Sequence, residues 1–454
     1  MKKFFISTFI LFAIVSVQSS CKKYLEEKSD AGLLVPTTLA DFQNLMDDAN
    51  TMNNTAPSFG ASSADEYFLE PTNYNSKSIF LQHVYRREIY PYNYSNDWSE
   101  CYRIIYVSNI CLERIQLLER TALNQKDWDH IKGSALFYKA YYNLELAWLF
   151  AKTYDENTAS TDYGIVLRNV SDFMVPSVRA TVQETYDKII ADAKEAAGLL
   201  ANQPQVVTRP SACAAYALLA RTYLSMRQYD SAGVFAGKAL NLKSSLMNYN
   251  NAAVVATAAA NPFKLFNEEV IFHASMGLTY SLHGPSAGPG RVDTNLYQAY
   301  HVNDIRRKAY FTAVGNYQRF KGSYSADASR LFSGIATDEI YLIRAECNAR
   351  AGQNAAALDD LNTLLKERFA PANFTPVATV ASATLDTILW ERRKELLFRG
   401  SLRWMDVKRL NKEGRNIELS RLIGGQLYVL PPNDKRYALQ LPVDIIEATG
   451  MPQN

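Results

Sequence analysis

Two glutamates in the C-terminal third, Glu391 and Glu395, have the residue type and spacing of a catalytic carboxylate pair. Residues four apart lie on one face of a helix, and paired carboxylates can act as acid and base on a glycosidic bond. Four arginines lie between them or shortly after them: Arg392, Arg393, Arg399 and Arg403. Neighbouring cations keep carboxylates ionised, whereas a general acid must hold a proton. The pattern therefore favours an internal network of ion pairs, and no catalytic residue is predicted.

Other signatures of catalysis and metal binding are missing from the sequence. It contains no G-x-S-x-G nucleophile elbow, no P-loop and no H-E-x-x-H helix. The five histidines are scattered and no C-x-x-C pair occurs, so neither a metal nor a cofactor is predicted. We therefore predict that the chain is not an enzyme.

A group of aromatic and amide residues has the chemistry of a binding surface instead. Between residues 51 and 96 helical periodicity is lost, and tyrosines are mixed with asparagines and acidic residues. Aromatic faces can cover the C–H surfaces of a neutral polar ligand while amides bond its hydroxyl groups. Many such rings only pack loops onto helices, so contact is expected from at least one member of the set. The candidate ligand-binding residues are Tyr67, Phe68, Tyr74, Asn75, Tyr92, Tyr94, Tyr280 and His283.

The start of the sequence predicts export and lipidation at Cys21. Residues 1–3 are basic, and an apolar stretch of about 14 residues follows, which is shorter than the roughly 20 that span a membrane. Small residues lead to Cys21, as in the bacterial lipoprotein pattern, in which the thiol is lipidated. A plain secretory signal with an incidental cysteine is the alternative. We predict a signal peptide at 1–20 and a polar tether at 21–36.

Composition predicts a neutral globular body after the signal peptide. The chain has 48 Lys and Arg against 46 Asp and Glu, and the signal peptide removes Lys2 and Lys3. A neutral chain has no general electrostatic attraction for nucleic acid, so no nucleic-acid partner is predicted. Cys101 and Cys111 lie about 15 Å apart on one predicted helix, too far for a disulfide. With Cys213 and Cys347 they are expected to be buried free thiols.

The elements that must position these residues are mostly helices. Apolar residues recur at three- and four-residue steps through much of the chain. Helices are predicted at about 37–48, 101–119, 128–153, 181–200, 209–226, 229–240 and within 340–369. Between 242 and 334 the helical signal fades, leaving a short strand within 268–275 and an irregular Gly/Pro loop at 284–290.

Two of the predicted helical pairs resemble tetratricopeptide repeats. The matching positions are Ala220, Tyr223, Ala232 and Ala239 in the first pair, and Ala345, Asn348, Gly352, Ala357 and Leu364 in the second. Small residues let antiparallel helices approach closely. The two matches are much farther apart than the roughly 34 residues of a tandem repeat. They indicate helical pairs separated by insertions, and two generic hairpins are the alternative.

Taken in chain order, several segments resemble the SusD/RagB family of Bacteroidota outer-membrane lipoproteins. Residues 391–409 are similar to its E-R-R-x-E-L segment and the following R-W-x-D-L-K-R, although Arg399 stands where the family usually has Glu. Residues 433–437 and 441–442 resemble its closing N-D-x-R-Y and I-P. Further similarity lies at 98–109, 214–224 and 341–362.

The resemblance implies a mostly α fold in which tetratricopeptide-like helix pairs form a scaffold. A more irregular, loop-rich lobe with few short strands would carry the ligand face. We expect one domain at 37–454, with a helical part at 37–240, an irregular insertion at 241–334 and a C-terminal part at 335–454.

The implied function is a surface-exposed nutrient-binding lipoprotein, held to the outer membrane by a lipid anchor. It would capture oligosaccharide and pass it to a SusC-type TonB-dependent transporter. Oligopeptide binding, as in the RagB branch, and a scaffold role in an uptake complex without a ligand are the alternatives.

Overall fold

The structure, a computed structural model, describes residues 36–280, 282–283, 288–378 and 381–454. The predicted signal peptide, Cys21 and all of the predicted tether except Pro36 lie outside these residues, as do residues 284–287 of the predicted loop. Within the described residues, no helix combines the length and the apolar character that a membrane crossing requires.

The N-terminal part is built of short helices and one short strand. They are α1 (Leu39–Met46), α2 (Ala49–Met52), α3 (Phe59–Ser63), β1 (Tyr67–Leu69), α4 (Pro71–Asn75) and α5 (Ile79–Arg86). The capping box of Thr38 and Asp41 starts α1, as predicted. The loop predicted for 51–96 is wrong, because three helices, a strand and the end of α2 lie within it. Helices of four to eight residues are too short to display helical periodicity, so the sequence pattern missed them.

Long helices follow and confirm five sequence predictions. They are α6 (Asp97–Ile115), α7 (Gln125–Phe150), α8 (Val182–Leu199), α9 (Ala212–Ser225) and α10 (Tyr229–Leu242), with strands β2 (Tyr163–Val166) and β3 (Arg179–Thr181) before α8. Capping boxes at Asn96 and Thr181 fix the starts of α6 and α8. From Ile131 to Phe150 nearly every side chain of α7 is buried, so this helix forms the centre of the main core.

The region from 241 to 334 holds short strands and two short helices among its described residues. They are β4 (Val270–Phe272), β5 (Gly290–Val292), α11 (Thr294–Gln298), α12 (Arg306–Ala309), β6 (Phe311–Val314) and β7 (Tyr317–Phe320). Strand β4 confirms the predicted strand and pairs with β8 (Ile335–Ala336), while β5 pairs with β1. A second apolar core joins this region to Tyr67, Tyr85 and Phe398.

The C-terminal part returns to helices and ends in a hairpin and a short helix. Its elements are α13 (Thr337–Arg350), α14 (Asn354–Lys366), α15 (Ala381–Glu395), α16 (Leu402–Asn411), β9 (Leu419–Ile423), β10 (Gln426–Leu430) and α17 (Val443–Thr449), with 3-10 turns at Pro371–Asn373 and Lys435–Tyr437. In the described residues the strands form two-stranded antiparallel sheets. The fold is therefore mostly α with few short strands, as predicted.

The two tetratricopeptide-like pairs, α9–α10 and α13–α14, are neighbours in space. A Cβ atom at Gly233 of α10 would lie 3.1 Å from Cβ of Cys347 in α13, so the glycine permits the close approach. Ala220, Ala232 and Ala239 are fully buried, as small residues between close helices must be. The insertion between the pairs thus leaves the stacked scaffold intact.

Candidate ligand-binding groove

Glu391 and Glu395 lie within a network of ion pairs, as the sequence predicts. Glu395 is fully buried, and its two oxygens accept hydrogen bonds of 2.8 Å from Arg368 Nε and Arg306 Nη1. Burial alone would raise the pKa of Glu395, but Arg368 and Arg306 lower it to about 2. Glu391 accepts from Arg306 Nη2 at 2.9 Å and also pairs with Lys394. An ionised Glu395 cannot serve as a general acid at neutral pH.

Three carboxylates of this network, Glu269, Asp338 and Glu395, come within 4.8 Å of one another. Their spacing would suit a cation. Arginines already supply the positive charge, because Arg368 bonds Glu269 and Glu395, and Arg399 bonds Asp338 at 2.7 Å. Arg399, which departs from the family pattern, thus has a defined role as the partner of Asp338.

A second part of the network joins the N-terminal loops to the C-terminal helices. Asp65 follows α3, and two arginines bond its carboxylate. Arg393 Nη2 lies 2.9 Å from it and Arg403 Nε lies 2.7 Å from it. Burial would raise the pKa of Asp65, but Arg403 and Arg393 hold it well below its usual value. The ion pairs therefore fix the position of the segment that leads into β1 and α4.

Four of the eight candidate ligand-binding side chains are buried: Tyr67, Tyr74, Tyr280 and His283. Tyr67 donates to the main-chain oxygen of Ser62 at 2.6 Å, and Arg421 covers its ring at 4.7 Å. Tyr280 stacks on Phe59 with centroids 4.6 Å apart.

The other two buried candidates also pack against the protein. The ring of His283 stacks on Phe398, and burial lowers the pKa of His283 to about 3. The hydroxyl of Tyr74 accepts a hydrogen bond of 2.6 Å from Arg86. All four side chains pack loops into the interior, and their contact with a ligand stays a prediction.

The other four candidates reach the surface in different surroundings. Phe68 lies edge-on to Tyr317 with centroids 4.9 Å apart, and Asn75 is exposed at the end of α4. Tyr94 is 75% exposed, and its main-chain N–H donates to Asp444. Tyr92 is half-buried and lines a cleft. Ligand contact by these four residues is likewise a prediction.

Tyr90 and Tyr92 form one wall of this cleft, and the segment from Lys435 to Gln440 forms the other. Tyr90 stacks on His83 with centroids 4.3 Å apart, and Tyr92 stacks on Phe80 at 5.5 Å. Because a neighbouring ring stacks on one face of each tyrosine, the position of the tyrosine ring is fixed. A ligand that contacts the other face would therefore cost little side-chain entropy. The cleft is small, about 40 Å³ in volume.

A wider cavity of about 500 Å³ adjoins the cleft, since Lys435, Ala438 and Asn454 line both. Tyr163 contributes a ring that is 52% exposed, with Arg179 5.3 Å from its centroid. Most of the other lining residues are polar, among them Lys152, Asp155, Asp162, Asn411, Lys412 and Asn433. We call the cleft and the cavity together the Tyr92 groove. Its volume lies in the range that small-molecule sites occupy.

The sequence predicted only Tyr92 among the residues that line the groove. Tyr90 belongs to the aromatic stretch at 51–96, but Tyr163 and the polar side chains come from the segment between α7 and β2, from the start of β2, from the end of α16 and from the segment after β10. These residues are distant along the chain, and no local spacing signals that they meet.

Two family profiles match the chain. Residues 23–224 match a SusD-like family described as "Starch-binding associating with outer membrane", and residues 337–438 match the SusD family. A search of curated proteins gave no match.

Solved structures share the fold over nearly the whole chain. A SusD superfamily protein from Bacteroides thetaiotaomicron is 20% identical, with a TM-score of 0.75 over 92% of this chain and 99% of that chain. A SusD-like carbohydrate binding protein from Bacteroides vulgatus is 20% identical, with a TM-score of 0.69 over 91% of this chain and 97% of that chain. A laminarin binding SusD-like protein is 18% identical, with a TM-score of 0.66 over 91% of this chain and 98% of that chain.

The profiles, the shared fold and the helix pairs agree with one another. They also agree with the resemblance of residues 391–409 and 433–442 to the family's C-terminal segments. The chain belongs to the SusD/RagB family.

Proposed function

We propose that this protein is a cell-surface lipoprotein that captures an oligosaccharide in the Tyr92 groove and passes it to a SusC-type TonB-dependent transporter. Membership of the SusD/RagB family supports the proposal, as do the carbohydrate-binding and laminarin-binding proteins of the same fold. The observation that carries it is the groove itself. Fixed tyrosine rings and polar side chains meet there around a volume that can hold a sugar.

The groove has the groups that a sugar needs for binding. The C–H faces of a pyranose ring would lie against Tyr90 and Tyr163, while its hydroxyl groups would bond the surrounding side chains. Asp162 and Asn433 offer oxygen acceptors, and Lys435 offers a donor. Tyrosine contacts of this kind are individually weak, so binding would be reversible, as delivery to a transporter requires.

We further propose that the protein binds without hydrolysing its ligand. Members of this family are binding proteins rather than enzymes. The carboxylates Glu391 and Glu395 are held by Arg306, Arg368 and Lys394 rather than placed in the groove.

Cys21 would anchor the protein to the outer membrane through its lipid. A tether of about 15 residues reaches at most roughly 50 Å when fully extended. Such a tether keeps the body concentrated beside a membrane-embedded transporter and still lets it move.

Isothermal titration tests the binding proposal. The chain from residue 22 is titrated with starch-type and laminarin-type oligosaccharides and with peptides of similar mass. Saturable binding of an oligosaccharide is expected. Binding of peptides alone would favour the RagB-like alternative. If no nutrient binds but a transporter is captured in a pull-down from outer membranes, the scaffold alternative holds.

A further inference from the structure

Arg87 ends helix α5 in a backbone conformation that arginine rarely adopts. Its φ is 59°, in the left-handed region, at the helix position where glycine is usual. A residue with a side chain is strained in this conformation. The sequence nevertheless places a guanidinium here, and the residue is only 5% exposed.

The charge of Arg87 has no carboxylate within ion-pair distance among the described residues. Its Nε donates to the main-chain oxygen of Ser63 at 2.5 Å, and its Nη2 donates to that of Ala64 at 3.1 Å. The remaining nitrogen, Nη1, is buried and has no partner among the described residues. Other buried arginines differ, since Arg221 and Arg409 each pair with a glutamate.

A second arginine adds to the positive charge around Arg87. Arg421 also donates to the main-chain oxygen of Ala64, so the two guanidinium groups converge on one acceptor. The carboxylate of Asp65 is close in sequence, but Arg393 and Arg403 already bond it. Burial, and after it Arg421, lowers the pKa of Arg87 to about 9. The region therefore holds more positive than negative charge.

This charge lies at the inner end of the Tyr92 groove. Arg87 and Ser63 both line the cleft, and Ser63 Oγ is also buried without a partner among the described residues. Among the residues that line the cleft, Glu88 carries the one carboxylate, and Arg86 bonds it at 2.7 Å. On the facing wall, Lys435 has no ion-pair partner in the described part of the chain. A buried donor without a partner destabilises the protein, so the cleft favours a ligand that can accept from Arg87 and Ser63.

We propose that Arg87 and Ser63 form a subsite for a carboxylate, and that the ligand of the groove is an acidic oligosaccharide that carries a uronic acid. The two donors, Arg87 Nη1 and the hydroxyl of Ser63, match the two oxygens of one carboxylate. A volume of about 40 Å³ can admit so small a group but not a sugar ring. The ring would lie outward, beside Tyr90 and Tyr92. This inference rests on the proposed function and names its substrate class.

The test compares an oligogalacturonide with a neutral oligosaccharide of the same length by isothermal titration of the chain from residue 22. We expect the acidic ligand to bind at least about tenfold more tightly, because a charged hydrogen bond contributes about 1.5–3 kcal/mol. Arg87→Gln and Ser63→Ala should each remove most of this preference by weakening the binding of the acidic ligand. Arg415→Gln, which alters an exposed arginine outside the groove, is the control.

The outcomes separate the two proposals. Equal wild-type affinity for both ligands would overturn the carboxylate subsite and leave the glycan proposal standing. Loss of both affinities in Ser63→Ala, in a protein that melts like the wild type, would also overturn it. If neither glycan binds, the proposed function fails as well. A peptide that binds through Arg87 only when its C terminus is a free carboxylate would keep the subsite but overturn the glycan assignment.

Discussion

The hydroxyl of Tyr92 donates to the main-chain oxygen of Gln440, and the main-chain oxygen of Tyr92 accepts from the N–H of Val443 at 2.9 Å. These bonds tie the segment after α5 to the C-terminal segment of the chain. The two walls of the Tyr92 groove are therefore held together although they are far apart in sequence. The groove depends on the complete fold, and changes at either wall should alter binding.

Removal of a tyrosine face from the groove should weaken oligosaccharide binding. Tyr90→Ala and Tyr163→Ala are each expected to lower the affinity about threefold to tenfold, because an aromatic contact is worth about 0.5–1.5 kcal/mol. Isothermal titration against the tightest oligosaccharide measures the change. Tyr106→Ala is the matched control, since Tyr106 is 45% exposed on α6 and does not line the groove. An equal loss in the control would contradict the placement of the site.

Breaking the buried network should destabilise the protein strongly. Glu395→Gln leaves Arg306 and Arg368 without the negative charge that bonds both, and removal of one partner of a buried pair costs about 3–5 kcal/mol. The free energy of unfolding, from urea titration, should fall by this amount. The exposed pair of Arg415 and Asp386 provides the control, since Asp386→Asn should cost less than about 1 kcal/mol. Similar losses in the two variants would show that the network does not brace the fold.

The pH dependence of stability should change when Glu66 is replaced. Burial raises the pKa of Glu66 to about 8, from 4.5. Between these values the unfolded state loses its proton while the folded state keeps it. Glu66 therefore makes its full contribution to the free energy of unfolding below about pH 4.5. Between this pH and about pH 8 the contribution falls by roughly 1.4 kcal/mol for each pH unit.

Glu66→Gln removes this dependence and keeps an oxygen for the N–H of Phe398, which donates to Glu66 at 3.2 Å. Relative to the wild type, the variant should gain stability between pH 5 and pH 8, by on the order of 3–4 kcal/mol. Urea unfolding at the two pH values gives the comparison, with the exposed Glu119→Gln as the control. If the wild type and Glu66→Gln differ in stability by the same amount at both pH values, Glu66 is not a protonated carboxyl in the folded protein.

The four described cysteines should be unreactive in the folded protein. All are buried and free, and burial raises the pKa of Cys111, Cys213 and Cys347 to about 12. A thiol that stays protonated and covered reacts slowly with disulfide reagents. Labelling of the chain from residue 22 should detect no thiol in buffer and four in denaturant. Rapid labelling in buffer would place at least one of them at the surface.

The sequence predicts the long elements of this fold well, because they carry their own local signals. Helices α6 and α8 have several turns of apolar periodicity, and Asn96 and Thr181 mark their starts with capping boxes. Helices α2 to α5 carry too few turns for a periodic signal, so the loop prediction failed there.

The candidate site was predictable only in part, for a related reason. Residue type identified aromatic and amide residues, but it cannot separate Tyr67, whose ring faces the core, from Tyr92, whose ring faces the groove. That difference depends on contacts with Arg421 and Gln440, which are more than 300 residues away in sequence. The charges clustered at 391–403 were enough to predict an ion-pair network. The partners of Glu395 could not be predicted, because Arg306 and Arg368 lie 89 and 27 residues away along the chain.

The proposed lipidation at Cys21 predicts where the protein is found in the cell. The full chain should fractionate with the outer membrane, and Cys21→Ser should release it from the membrane fraction. Cys101→Ser, which alters a buried thiol of α6, serves as the control for the loss of a cysteine. If Cys21→Ser protein stays in the membrane fraction, the anchor and the tethered arrangement both fail.

The most direct measurement of the central claim is isothermal titration of an oligosaccharide into the wild-type chain and into the double variant Tyr90→Ala/Tyr163→Ala. Saturable binding to the wild type, and a loss of about tenfold to a hundredfold in the double variant, is the predicted result. Circular dichroism must show that the double variant keeps its helical content and its melting temperature. Undiminished affinity in a folded double variant would contradict the assignment of the Tyr92 groove as the glycan site.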